Sequence, residues 1–268
     1  MKISIVVSVP EAKFPVAYRR EVARSLEKAK ELDYDGVELS FTEPDKVNVG
    51  LLRELVGSLG LEVPALATGL SYVHFGLSFA DRDPVVRDAT VRRVKEYIRL
   101  ASELGSAVVV GLIRGKAGED APLETAWGWN VECLKDCARE AEELGVTLAL
   151  EPLNRYETDI VNTVDDGLRL ISEIGSEQVG MLVDTFHMNI EERSIPDSLR
   201  RAGDVLAHVH VADSNRLAPG MGHIDFAEVI RALREVGYER YISAEILPKP
   251  DPDTAARYAI RYLRRIVP

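Results

Sequence analysis

Four apolar runs of the chain carry, at or near their C-terminal ends, a side chain able to hold a divalent metal. Leu148-Ala149-Leu150 closes on Glu151, Met181-Leu182-Val183 on Asp184 and Ser243-Ala244 on Glu245, while the run around Val209 carries His208 and His210. Short runs of Val, Ile, Leu and Ala suit buried parallel strands. Neighbouring strands lie about 4.8 Å apart, so four consecutive strand ends can converge on one point. Three carboxylates gathered there would repel one another unless a cation compensated them. Hard oxygens plus one imidazole make Glu151, Asp184, His210 and Glu245 a site for Mn²⁺, with Mg²⁺ or Co²⁺ as alternatives, rather than for a thiolate-selecting metal. A single strand-end carboxylate most often caps the following helix; repetition on four neighbouring strands is what points to a metal. His208 shares the parity of His210 but lies one step deeper, and it reads as a buried, hydrogen-bonded structural histidine. Glu38, with Gly36 and Ser40 on its face, also points inward and needs a partner, for which His208 is a candidate.

The elements that must position these residues follow from the apolar periodicity. Strand-like runs fall near 3–9, 35–41, 62–68, 106–113, 145–151, 179–184, 204–212 and 240–246, and helical patterns near 17–32, 47–59, 84–104, 124–144, 163–175, 196–202, 225–236 and 252–266. Leu104-Gly105, Leu144-Gly145 and Val236-Gly237 read as helix stops. Eight β/α pairs in strict alternation imply an α/β protein with a closed (β/α)8 TIM barrel, in which chemistry sits at the C-terminal strand ends. No linker or low-complexity tract divides the chain, so residues 1–268 are expected to form one TIM-barrel domain. Residues 69–83 and 114–123 are expected to be extended loops over the barrel mouth.

Composition narrows the function. The 268 residues include 33 Lys+Arg and 44 Asp+Glu, a formal charge of −11, with no basic cluster of the kind a nucleic-acid or anionic-membrane surface requires. A small-molecule partner is expected instead. The run from Ile3 to Val9 meets Pro10, Glu11 and Lys13 at once and reads as a strand rather than a signal peptide. No run approaches the roughly 20 apolar residues of a bilayer span, so a cytoplasmic location is expected. Cys133 and Cys137, one helical turn apart without a second Cys/His pair, read as two small apolar residues on a helix face.

Polar loops follow the candidate ligands: Pro152-Leu153-Asn154-Arg155-Tyr156-Glu157-Thr158-Asp159, Thr185-Phe186-His187-Met188-Asn189 and Ala212-Asp213-Ser214-Asn215-Arg216. They supply the directional donors and acceptors that a hydroxyl-rich substrate needs. Arg155, Asp159 and Asp213 read as solvated or loop-bracing, and Pro219-Gly220-Met221-Gly222-His223 as a tight turn before a helix capped near Asp225. The strings Glu151–Glu157, Asp184–Asn189, His210–Arg216 and Gly222–Phe226 together resemble the ketose 3-epimerase group, which acts on D-tagatose, D-allulose or L-ribulose, of the xylose-isomerase-like barrel superfamily. The resemblance runs in order along essentially the whole chain. It implies the same four metal ligands, and substrate contacts from Glu157, His187 and Arg216. It also implies inversion at C3, beside the carbonyl, by two-base proton exchange through an enediolate. Glu151 and Glu245 would be the catalytic acid/base pair on opposite sides of the substrate. A homodimer or homotetramer is the assembly the resemblance implies.

The loop after the fourth strand, Leu112-Ile113-Arg114-Gly115-Lys116, is more like the branch acting on keto-sugar acids, such as 5-keto-L-gluconate epimerase. Burying a substrate carboxylate costs several kcal/mol unless a cation meets it, and Arg114 is the candidate cation. The competing reading pairs Arg114 with Glu119 or Asp120, or leaves it solvated. Other activities on the same barrel are a sugar dehydratase of the inosose type, a hydroxypyruvate-type aldose–ketose isomerase, and an endonuclease IV-like phosphodiesterase. The last builds its metal cluster from many histidines, and this chain has five in all.

Overall fold

The computed structural model describes residues 1–118 and 121–267. Eight parallel strands follow one another around a closed sheet: β1 (Lys2–Ser8), β2 (Gly36–Ser40), β3 (Ala65–Ala67), β4 (Ala107–Val110), β5 (Leu148–Leu150), β6 (Val179–Asp184), β7 (Leu206–Val211) and β8 (Tyr241–Ala244). The last pairs with the first, Ser4 opposite Ser243, and closes the barrel. A two-residue strand, Tyr18–Arg19, adds to the free rim of β1, so the helix expected from residue 17 begins only at Val22.

Alternation along the strands sends side chains to two different places. One set packs against the surrounding helices in the main core, with Ile3, Ile5, Leu39, Leu66, Val108, Leu148 and Val209 among its members. The other set is small, Ala65, Val109, Ala149, Leu182 and Ala207. Buried parallel strands need cover on both faces, which the helices and the barrel's own interior provide. Helix ends obey local chemistry. Gly105 and Gly145 close Pro84–Leu104 and Leu123–Leu144 in left-handed conformation, as the sequence suggests. Thr163 and Asp166 form a reciprocal capping box at the start of Val164–Ile174.

The segments over the barrel mouth differ from expectation. Residues 69–83 contain a two-turn helix, Gly69–Phe75, in which Leu70 and Ser71 are buried and which Gly76 closes in left-handed conformation. The Thr185–Asn189 loop is the helix Thr185–Glu191, nucleated by Asp184 itself, whose Oδ1 accepts the Phe186 amide at 2.7 Å. The fourth strand stops at Val110 and Leu112–Arg114 coils into a single 3₁₀ turn. Cys133 and Cys137 are free and buried in Leu123–Leu144. No helix among the described residues is long and apolar enough to cross a membrane.

Candidate active site

The four residues that end or follow β5 to β8 meet. Ligand atoms of Glu151, Asp184, His210 and Glu245 all lie within 4.8 Å of one another. His210 Nδ1 is the centre of the group, 3.4 Å from Glu151, 3.6 Å from Glu245 and 4.0 Å from Asp184. These are charge contacts without hydrogen-bond geometry: both His210 Nδ1 and Asp184 Oδ2 are buried with no hydrogen-bond partner. Buried polar atoms are rarely left so. Each carboxyl has a distinct local reason for its aim. Asp184 spends Oδ1 on the helix cap and turns Oδ2 to the cluster. Glu245 is gripped by Arg216, Nη2 to Oε2 at 2.7 Å. Glu151 lies against Gly111, where any Cβ would run into its carboxylate, so a glycine there leaves the room it occupies.

Burial and charge act on these groups in opposite directions. Burial pushes the Asp184 carboxyl up to about 6 against the pull of Arg216, with the Glu245 charge adding to the rise. Burial likewise raises Glu151, against the pull of His210. For Glu245 burial also acts upward, but the Arg216 guanidinium and His210 outweigh it and hold the carboxyl at about 2. Burial alone would keep His210 neutral; the charge of Glu38, joined by Glu151 and Glu245, holds it well above the usual imidazole range. A cluster that shares too few protons among three carboxyls and leaves two ligand atoms unpartnered fits a divalent cation, and its donor set is oxygen-rich with one imidazole.

At the cluster is a cavity of about 330 Å³, whose lining includes the polar Glu151, Glu157, His187, His210, Arg216 and Glu245 and apolar groups such as Phe14, Leu112 and Phe186. Three of the four residues expected to touch substrate, Glu157, His187 and Arg216, therefore share the cavity with Glu151 and Glu245. Asn154 ties two of them together: its side-chain amide donates to Glu157 Oε1 at 3.1 Å and to His187 Nδ1 at 2.7 Å, and its backbone N–H donates to the same Nδ1. With two donors on Nδ1, the His187 proton sits on Nε2. Burial keeps that imidazole's pKa below its ordinary value. Arg216 stacks over Phe186, 4.8 Å from guanidinium to ring centroid, and holds a left-handed backbone (φ 60°) rare for its type.

Arg114 does not join the cavity, which corrects its expected role as the partner of a substrate carboxylate. It is buried to 1% exposure, and its guanidinium donates to three backbone carbonyls: Val110 through Nε at 3.3 Å, Ile160 through Nη1 at 2.9 Å, and Glu151 through Nη2. The 3₁₀ turn after β4 points the side chain under the Glu151–Thr163 loop rather than toward the mouth. Its alternative partners Glu119 and Asp120 lie outside the described residues. Arg155, Asp159 and Asp213 brace loops as expected: Arg155 clasps Glu191, Asp159 accepts the amides of Ala117 and Gly118, and Asp213 those of Ser214, Gly220 and Ile224. Asp225 caps Phe226–Glu235. Sequence reasoning missed Asn154 as the clip between Glu157 and His187, and Phe14 as a cavity wall. The position of Phe14 in the loop after β1, on the same rim as the ligands, was the available signal.

A closed parallel barrel with a carboxylate-and-imidazole cluster at its C-terminal rim, opening into a polar-sided cavity, defines an α/β-barrel enzyme of the kind that works on small polyhydroxy substrates. Residues 26–266 match the family model described as the xylose isomerase-like TIM barrel. The chain belongs to that family and, within it, to the ketose 3-epimerase group; it is an epimerase, of the isomerase class. It is 35% identical over 227 residues to an L-ribulose 3-epimerase from Mesorhizobium japonicum, covering 84% of this chain and 75% of that protein. A solved L-ribulose 3-epimerase superposes with a TM-score of 0.86 at 28% identity, over 98% of this chain and 93% of the other. The solved 3-keto-D-glucoside 4-epimerase of Escherichia coli gives 0.85 at 26% identity, over 99% of both chains.

Proposed function

We propose that the protein inverts C3, the carbon beside the carbonyl, of a ketose or keto-sugar acid, with one Mn²⁺ held by Glu151, Asp184, His210 and Glu245. The observation that carries this reading is that two carboxylates, the buried Glu151 and the half-buried Glu245, approach the same His210 nitrogen and line one cavity from strands three steps apart. Inversion requires a proton to leave one face of a carbon and another to arrive on the opposite face. Two bases across the substrate do this without the substrate turning over.

A bound divalent ion would polarise the carbonyl and adjacent hydroxyl oxygens and so acidify the C3 proton. One glutamate takes that proton, leaving an enediolate, and the other delivers a proton to the far face; the reverse reaction exchanges their roles. His187 presents its Nε2–H to a substrate oxygen, held neutral and aimed by Asn154. Arg216 keeps Glu245 ionised and supplies positive charge beside the developing negative oxygens. Glu157, fixed by Asn154, accepts from a substrate hydroxyl. Phe14, Leu112 and Phe186 cover the sugar's carbon face. Arg114 supplies no reason to prefer the acid over a neutral ketose, so the substrate class rests on kcat/KM measured for 5-keto-L-gluconate, D-tagatose, D-fructose and L-ribulose. The same reading makes the protein a cytoplasmic homodimer or homotetramer.

The test is turnover in D₂O together with metal analysis of protein purified without chelator. Deuterium at C3 of the product, near-stoichiometric metal, and loss of turnover in Glu245→Gln are expected. Product without solvent deuterium, or a metal-free protein with full activity, would overturn the reading.

A further inference from the structure

Glu38 stands apart from the groups used so far. It is fully buried in β2, does not line the cavity, and accepts hydrogen bonds from two histidines of β7: His208 Nε2 at 2.9 Å, and His210 Nε2 at 2.9 and 3.1 Å to its two oxygens. Glu38, His208 and His210 also lie close enough to hold an ion of their own. Both imidazole Nε2 atoms, however, sit at hydrogen-bond distance from the carboxylate, and the remaining His210 nitrogen faces the other way.

An ionised carboxylate only accepts, so both Nε2 atoms must carry protons. For His210 that leaves Nδ1 as the nitrogen able to offer a lone pair, and Nδ1 is the atom surrounded by Glu151, Asp184 and Glu245. The ring cannot easily swing away. His208 stands edge-on to it, centroids 5.3 Å apart at 82°. Histidine ligands commonly depend on such an outer partner for their tautomer and orientation. We propose that Glu38 is a positioning residue that fixes the tautomer and ring angle with which His210 meets the metal. This inference rests on the metal reading of the Glu151, Asp184, His210 and Glu245 cluster.

Glu38→Gln is the informative change. An amide oxygen in the place of Oε2 still accepts from both Nε2–H groups, but the charge is gone and the donating NH₂ then stands in the place of Oε1, facing the His210 Nε2–H that Oε1 accepts in the wild type. Mn²⁺ affinity, measured against a competing chelator, is expected to fall 10- to 100-fold in Glu38→Gln and in Glu38→Ala. In the wild-type protein loaded with Mg²⁺ or Zn²⁺, ¹⁵N NMR should show His210 protonated on Nε2. Affinity within threefold of wild type in the folded variants, or an unprotonated Nε2 in the loaded wild type, overturns the proposal. Should Glu38→Ala fail to fold, the near-isosteric Glu38→Gln and the wild-type spectrum still decide it. Melting of the metal-free proteins isolates a purely structural role: lost stability with unchanged metal affinity also overturns it. A wild type that binds no divalent ion would instead sink the metal reading, and this inference with it.

Discussion

Arg114 offers a sharp test because two opposite roles predict different data. The structure makes it an internal staple: one guanidinium closes the Glu151–Thr163 loop onto the end of β4 by bonding the carbonyls of Val110, Glu151 and Ile160. Burial lowers its pKa only to about 10, so it stays charged at neutral pH. Replacing it with Ala removes a charged donor from three buried carbonyls, of which Val110 keeps the Glu151 amide and Ile160 the Thr158 hydroxyl, and opens a cavity. A hydrogen bond from a charged donor contributes about 1.5–3 kcal/mol, and such terms overlap when one side chain makes all three. Arg114→Ala should therefore lose about 3–5 kcal/mol, or roughly 6–10 °C in Tm for a chain of this size. Because one of the three carbonyls belongs to Glu151, the Glu151 carboxylate should shift as well. The loss in kcat/KM should be shared, within about threefold, between a neutral ketose and 5-keto-L-gluconate. Thermal unfolding by circular dichroism and kcat/KM on both substrates provide the measurement. A Tm within 1–2 °C of wild type, or a loss confined to the acid, would refute the staple and restore the substrate contact.

Two further outcomes follow from close packing and burial. Gly111→Ala places a methyl group against the Glu151 carboxylate and should cut kcat at least about tenfold, with the barrel intact by circular dichroism; normal turnover would show that Glu151 has room to retreat. Burial pushes the Cys133 thiol up to about 11 and raises Cys137 as well, so little reactive thiolate exists at pH 8. A disulfide reagent should label both slowly in native protein, with Cys133 gaining reactivity up to about pH 11, and both at once after unfolding in guanidinium. Rapid native labelling would contradict that burial.

The barrel and the gathering of four ligand-type side chains at one rim are legible in the sequence pattern. Eight apolar runs alternating with helical patterns admit few other architectures, and a carboxylate at a strand end keeps its place because strand register is set by burial over many residues. That is why Glu151, Asp184, His210 and Glu245 were readable from type and position alone. The pairing of Glu38 with His208 was legible for the same reason, from strand parity, but not its second bond to His210. That bond depends on how β2 and β7 face each other across the barrel interior, a distance no local pattern encodes. The mouth was less readable still. The segments that form the helices Gly69–Phe75 and Thr185–Glu191 read as loops in the sequence because their apolar faces are short and the second is started by Asp184, itself a candidate ligand. Arg114 shows the limit most plainly. A loop arginine beside a polar cavity and one folded beneath the loop have the same sequence; folding distinguishes them, because three carbonyls from two segments, at Val110 and at Glu151 and Ile160, converge where its guanidinium can satisfy them together.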